Sequence, residues 1–136
     1  MTIPVHEGQI VAAHGRHFLV RHAVETPIEC TVRGKKSEAV CGDLVRFRLI
    51  NAAQGVIEEI LPRSSLFKRS DAFRTKAIAA NATQVALVIS PRPSPSLDLL
   101  QRCLLAAEAQ HLPVLIVVNK ADLPEHPDLM AKLSLF

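Results

Sequence analysis

Hydrophobic and polar positions alternate along the first 61 residues. Residues 28–33 place Ile28, Cys30 and Val32 on one face and Glu29, Thr31 and Arg33 on the other. Residues 44–49 repeat this, with Val45, Phe47 and Leu49 predicted inward and Arg46 and Arg48 outward. Residues 8–13 and 17–22 flank a turn at His14-Gly15-Arg16, and residues 54–61 form a fifth run. A period of two, broken by glycine-containing turns, marks antiparallel strands with one buried face. Five such strands in so short a stretch predict a small closed barrel, with the five-stranded OB barrel as the leading candidate.

The pattern changes near Lys76. Residues 84–90 hold the continuous apolar run Val-Ala-Leu-Val-Ile, and Val114–Val118 is a second one. Three prolines within residues 91–95 (Pro91, Pro93, Pro95) make a loop after the first run. Ser96 is a helix cap, and Asp98 suits the first turn. Leu97, Leu100, Leu104 and Ala107 then recur at helical spacing, giving a helix of about 13 residues that Pro113 stops. Strand, helix and strand, with both strands apolar on both faces, read as a βαβ unit of a parallel sheet. Residues 128–135 begin another helix, with Pro127 suited to its first turn. The predicted fold class is therefore β plus α/β: an OB-type antiparallel barrel (1–62), a basic linker (63–76) and an incomplete parallel βαβ portion (77–136). Two parallel strands with one and a half helices leave open edges and an uncovered face. The expectation is the front part of something longer.

Composition narrows the function classes. The chain has 136 residues, 49% hydrophobic and 21% charged, which excludes wholesale disorder. No apolar run approaches a membrane span, and the first nine residues carry His6 and Glu7 rather than a secretory core. Cys30, Cys41 and Cys103 form no C-x-x-C and suit a reduced, cytoplasmic interior. The net charge of +3 hides an asymmetry: residues 1–76 hold 12 basic and 8 acidic residues, whereas residues 77–136 hold 4 and 5. Residues 63–76 alone carry five basic residues against Asp71, with Phe67 and Phe73 interleaved. Candidate RNA contacts are Arg33, Lys35, Lys36, Arg46 and Arg48 on the barrel and Lys68, Arg69 and Arg74 beyond it. A solvated sheet face reads the barrel cations equally well, and small-cluster packing is the plainer role for both phenylalanines. His14, His17 and His22 lie close in sequence but lack an acidic or cysteine partner for a metal, so no metal ligands are assigned. Glu58 and Glu59 adjoin on a strand, point to opposite faces and make a poor acid/base pair.

Glycine usage is equally informative. Only Gly8, Gly15, Gly34, Gly42 and Gly55 occur, and none lies between Val56 and Phe136. A phosphate-cradling loop needs glycine, because backbone N–H groups must converge on the anion. The one Gly-Lys pair, Gly34-Lys35, has Glu29 in place of the first glycine of G-x-x-x-x-G-K-[ST] and Lys36 in place of Ser or Thr. No catalytic residue is assigned.

Asn119-Lys120-Ala121-Asp122 follows the second apolar run directly. N-K-x-D at the carboxyl end of a parallel strand stands where α/β sheets bind ligands. The Asp122 carboxylate can accept hydrogen bonds from the ring N1–H and exocyclic amino group of guanine. Adenine offers neither donor there. Asn119 can reach the N7 edge and tie neighbouring loops, and the Lys120 stem can cover the base plane.

The order of these parts is unusual for a GTPase, since a barrel and no phosphate loop precede N-K-x-D. Four blocks occur in sequence: Val40-Cys41-Gly42-Asp43-Leu44-Val45; residues 55–63, Gly-Val-Ile-Glu-Glu-Ile-Leu-Pro-Arg; Lys76-Ala77-Ile78-Ala79-Ala80-Asn81; and residues 113–123 with the N-K-x-D loop. In these the chain resembles the ribosome small-subunit-dependent GTPase A family of circularly permuted ribosome-assembly GTPases. The resemblance implies a P-loop-type GTPase domain whose base-recognition loop precedes its phosphate loop. It implies GTP/GDP with Mg2+ in the full-length family, and zinc in a C-terminal domain absent from these residues. It also implies docking on 16S rRNA of the small (30S) ribosomal subunit, late maturation of that subunit as the role, a monomeric cytoplasmic protein, and no membrane. Nucleotide state, sensed by elements outside these residues, would control release. His111 stands where a glycine often ends the helix. The alternative is a stand-alone OB-fold RNA-binding module without enzymatic activity.

Overall fold

The five alternating runs form a closed barrel in the order β1-β2-β3-β5-β4. Its strands are β1 (Val5–His14), β2 (His17–Arg21), β3 (Ile28–Val32), β4 (Leu44–Leu49) and β5 (Gln54–Ile60). The computed structural model describes residues 3–23, 25–34 and 38–136. These divide into two units, Met1–Ala82 and Thr83–Phe136. Four seams of the barrel are antiparallel, and the fifth, β3 against β5, is parallel. The alternation in sequence becomes the core: Ile10, Phe18, Val20, Ile28, Cys30, Val45, Phe47 and Ile57 are all buried inside the ring. Burial pushes the Cys30 thiol up to about 11, so it is a packing residue rather than a nucleophile.

Residues 63–76, expected as a linker, instead contain most of a β-hairpin. β6 (Leu66–Ser70) pairs antiparallel with β7 (Thr75–Ala80), and the first unit runs on to Ala82. A two-stranded ribbon has no fully buried face to impose an apolar alternation, so Lys68-Arg69-Ser70 carries no strand signature. The hairpin is tied to the barrel at one joint. Gly42 lies at φ +93°, and a Cβ there would sit 1.9 Å from the Ala80 carbonyl oxygen. Only glycine permits that approach. The Ala80 N–H donates to the Cys41 carbonyl at 2.9 Å, and Asn81 Nδ2 donates to the Gly42 carbonyl at 2.9 Å.

Beside Gly42, the fully buried Asp43 receives a two-pronged bond from Arg63, Nε to Oδ1 at 2.7 Å and Nη2 to Oδ2 at 2.9 Å. The Val40 N–H also donates to Oδ2, at 2.9 Å, so the carboxylate is well satisfied. Hydrogen bonding to Asp43 raises the already high pKa of Arg63. Asp43 and Arg63, each inside a block that carries the family resemblance, thus form a structural clasp.

The second unit is β8 (Val85–Ile89), α1 (Leu97–Ala109), β9 (Val114–Val118) and α2 (His126–Leu133). β8 and β9 pair in parallel, Val85 opposite Val114 through Ile89 opposite Val118. Ser96 Oγ accepts the Leu99 N–H at 3.2 Å and caps α1, with Asp98 in its first turn. At the other end His111 takes φ +54°, its N–H bonding the Glu108 carbonyl and the Leu112 N–H the Ala107 carbonyl, each at 2.9 Å. That pair of bonds is the Schellman closure, in which glycine is usual. α2 begins two residues earlier than its expected start, with Pro127 in its first turn. The strands are apolar on both faces but covered on one only: Val88 is 64% exposed and Leu115 51%.

Candidate functional site

Asn119 to Asp122 leave the carboxyl end of β9, where the main-chain N–H of Asn119 still bonds the Ile89 carbonyl of β8 at 2.8 Å. Asn119 Oδ1 accepts the Lys120 N–H at 2.9 Å. Lys120 itself takes the left-handed conformation, φ +57°, which turns the chain sharply. Its ammonium reaches the Arg92 carbonyl at 2.8 Å and so braces the N-K-x-D loop against the β8–α1 loop. Arg92 works in both directions. Its guanidinium pairs with Glu125 at the start of α2, and that pairing holds the Glu125 carboxyl below the usual carboxylate range. Asp122 is exposed and has no hydrogen-bond or ion-pair partner among the described residues. The loop is therefore held at Asn119 and Lys120 while its carboxylate stays free to accept two donors. This is the arrangement that guanine recognition needs.

The basic residues separate into two sets. On the barrel face Arg46 bonds Glu7 and Glu59, each at 3.0 Å, and these hydrogen bonds raise its pKa. Arg48 Nε lies 2.8 Å from Glu58 as an ion pair without hydrogen-bond geometry, and Arg33 lies 3.9 Å from the same carboxylate. A bulge at Arg46/Phe47 in the β4–β5 pairing brings the adjacent Glu58 and Glu59 both to arginines, rather than to opposite faces. The barrel arginines are thus largely neutralised by neighbours that sequence spacing does not bring together. Lys35 and Lys36 lie outside the described residues.

On the hairpin, Lys68, Arg69 and Arg74 have no carboxylate partner among the described residues, and neither does Lys76, which the sequence placed in the basic stretch but not among the candidate contacts. The acid in the hairpin turn is engaged elsewhere: Asp71 Oδ1 accepts the N–H groups of Phe73 at 2.9 Å and Arg74 at 2.8 Å, which lowers its pKa. Phe73, expected in a small cluster, is instead 95% exposed at the turn, whereas Phe67 is half-buried. An exposed ring among unpaired cations matches a base-stacking platform. The three clustered histidines do not form a site: His17 pairs with Glu29 at 2.9 Å, and His22 packs edge-on to His6, ring centres 5.0 Å apart, over Phe47. Among the described residues no three His, Cys, Asp or Glu side chains come together to hold a metal ion.

In chain order, a closed barrel comes before the parallel pair that carries N-K-x-D. The sequence model of the RsgA GTPase family matches residues 60–135, and the chain belongs to that family. It is 58% identical over 123 residues to the small ribosomal subunit biogenesis GTPase RsgA of Nitrosospira multiformis, covering 90% of this chain and 39% of that protein. The protein of the same name from Neisseria meningitidis serogroup C is 50% identical over 128 residues, covering 94% of this chain and 42% of the relative. The chain thus spans about two-fifths of the curated relatives it matches. Two solved structures superpose. YjeQ from Thermotoga maritima has a TM-score of 0.67 at 28% identity, over 97% of this chain and 47% of that one. YloQ, described as a circularly permuted GTPase, has a TM-score of 0.65 at 29% identity, over 97% and 46%. The family match spans β8, α1, β9 and the N-K-x-D loop, which favours the GTPase reading over a barrel with a mere docking tail.

Proposed function

We propose that this chain is the rRNA-docking and guanine-reading portion of a cytoplasmic, monomeric GTPase that assists late maturation of the small ribosomal subunit. The observation that carries the reading is the braced N-K-x-D loop with its unpartnered Asp122 carboxylate. Asp122 accepts from guanine N1–H and the 2-amino group, Asn119 donates toward N7, and the Lys120 stem covers the ring. The same loop leaves adenine with an unmatched carboxylate, a penalty of about 1–3 kcal/mol by analogy with bidentate base readout. Docking on 16S rRNA falls to the first unit, led by the unpaired Lys68, Arg69 and Arg74 with Phe73, and with Arg33, Arg46 and Arg48 secondary because carboxylates already hold them.

GTP hydrolysis belongs to the family's full-length activity. These 136 residues contain no G-x-x-x-x-G-K-[ST] to hold the β- and γ-phosphates. No step of the proposal runs through Mg2+ or zinc. The test is nucleotide binding to the 136-residue chain, read by calorimetry with GDP and ADP in parallel. Weak binding that prefers GDP, with the preference lost in Asp122→Asn, is the expected result. Undiminished preference in Asp122→Asn overturns the base contact, and GTP turnover by the pure chain overturns the assignment of hydrolysis to elements outside it.

A further inference from the structure

The hairpin register sets Arg69 directly opposite Lys76. Side chains at opposed positions of an antiparallel pair share one face, and like charges there destabilise the pairing. Neither has a hydrogen-bond or ion-pair partner among the described residues. Both line a cleft of about 520 Å³ within the first unit. Its walls include Ala13, Phe18 and Ala39 of the barrel and Ile78 of β7, and no carboxylate is among its described lining residues, Glu38 lying on the adjoining cleft that Lys76 also borders. That volume is in the range of small-ligand sites. Two cations held against each other along a largely apolar cleft describe an anion site with a hydrophobic wall. The like-charge repulsion disappears once an anion lies between them.

We propose that this cleft is a subsite for one nucleotide unit of an RNA strand, with the phosphate between Arg69 and Lys76 and the base against Ala39 and Ile78. The inference rests on the reading of the first unit as an RNA-docking surface and gives that surface one defined nucleotide position. Phosphate is the group that engages a guanidinium in a fork and an ammonium at once. The apolar wall accounts for the base, which a free inorganic anion would not use.

The test uses the whole chain with a labelled uridine octanucleotide, because uracil leaves the guanine loop idle. Lys76→Glu places opposite charges across the strands, so it should raise the thermal midpoint while weakening RNA binding about tenfold, the value of one charge-assisted contact. Opposite signs in the two readouts separate a lost contact from a damaged fold. Arg69→Gln should weaken binding several-fold more than Arg74→Gln, since Arg74 does not line the cleft. Methyl resonances of Ala13, Ala39 and Ile78 should shift with the oligonucleotide. If uridine 5′-monophosphate shifts them equally at equal concentration, the site takes the free nucleotide. If it does not, the RNA strand is the source. Equal losses for the Arg69 and Arg74 variants with unmoved methyl groups overturn the cleft while leaving RNA docking intact. Failure of the octanucleotide and of 16S rRNA to bind at all overturns both. Competition by polyglutamate at the same concentration overturns the nucleotide assignment in favour of an acidic peptide.

Discussion

The two units solve the same problem of burial in opposite ways. The barrel closes on itself, so its strands have no free edge and its apolar residues have one shared interior. The β8–β9 pair has two open edges and an exposed apolar face carrying Val88 and Leu115. Recognition follows the same division. The first unit offers unpaired charge on a self-sufficient scaffold, whereas the second offers one braced loop on a scaffold that is half covered. Charge recognition tolerates ångström-scale variation, but matching two donors of guanine does not, and on the proposed reading the interlock of Asn119, Lys120 and Arg92 serves that need.

The largest effect that would break this comparison is expected at the clasp. Asp43→Ala strands the Arg63 guanidinium beside the barrel and removes the partner of Val40, a loss of about 3–5 kcal/mol. Calorimetric unfolding should show the first unit melting earlier while guanine preference persists. By contrast Val88→Thr, on the exposed face, should change stability by no more than about 0.5 kcal/mol. A large loss there would mean that the face is covered in solution.

His111→Gly comes next. It relieves a left-handed conformation in a residue with a Cβ and should stabilise the second unit by about 1 kcal/mol, visible as a higher urea midpoint. Arg92→Ala should then loosen the brace and reduce GDP-over-ADP preference a few-fold, less than Asp122→Asn, because Arg92 holds the loop rather than the base. Equal effects of the two variants would place Arg92 on the nucleotide.

The smallest effect is that of pH on the hairpin turn. The folded-state pKa of Asp71 is depressed, so its contribution is complete above the ordinary carboxylate pKa of about 4 and fades as pH falls through the lower folded value. Protection of the Phe73 and Arg74 amides, corrected for intrinsic exchange, should therefore fall only below about pH 4 while the barrel core stays protected. Protection that persists at the acid end, or an Asp71→Ala variant with unchanged exchange, would assign the turn to something other than the Asp71 bonds.

Much of this was legible in sequence wherever one residue's environment is set by its neighbours in the chain. The inward Val45 and Phe47, the Ser96 cap, the length of α1 and the glycine-like position of His111 all have local causes. What escaped depends on distant partners. Glu7 meets Arg46 only because β1 pairs with β4, and Glu58 and Glu59 share a side only because of a bulge. The hairpin escaped because Arg69 and Lys76 oppose each other with no apolar alternation to announce it. The uncovered face of β8 and β9 was legible only from the small number of covering elements, because an apolar run does not itself say how many faces are covered.

The parallel seam between β3 and β5 also sets an order of events during synthesis. β1, β2 and β3 can pair as they emerge, but the ring cannot close until β5 has left the ribosome, and the Gly42 joint waits for Ala80. The N-K-x-D loop follows about 40 residues later, a delay of a few seconds at about 5–20 residues per second. The nascent chain is therefore expected to own a finished first unit before its N-K-x-D loop has been made.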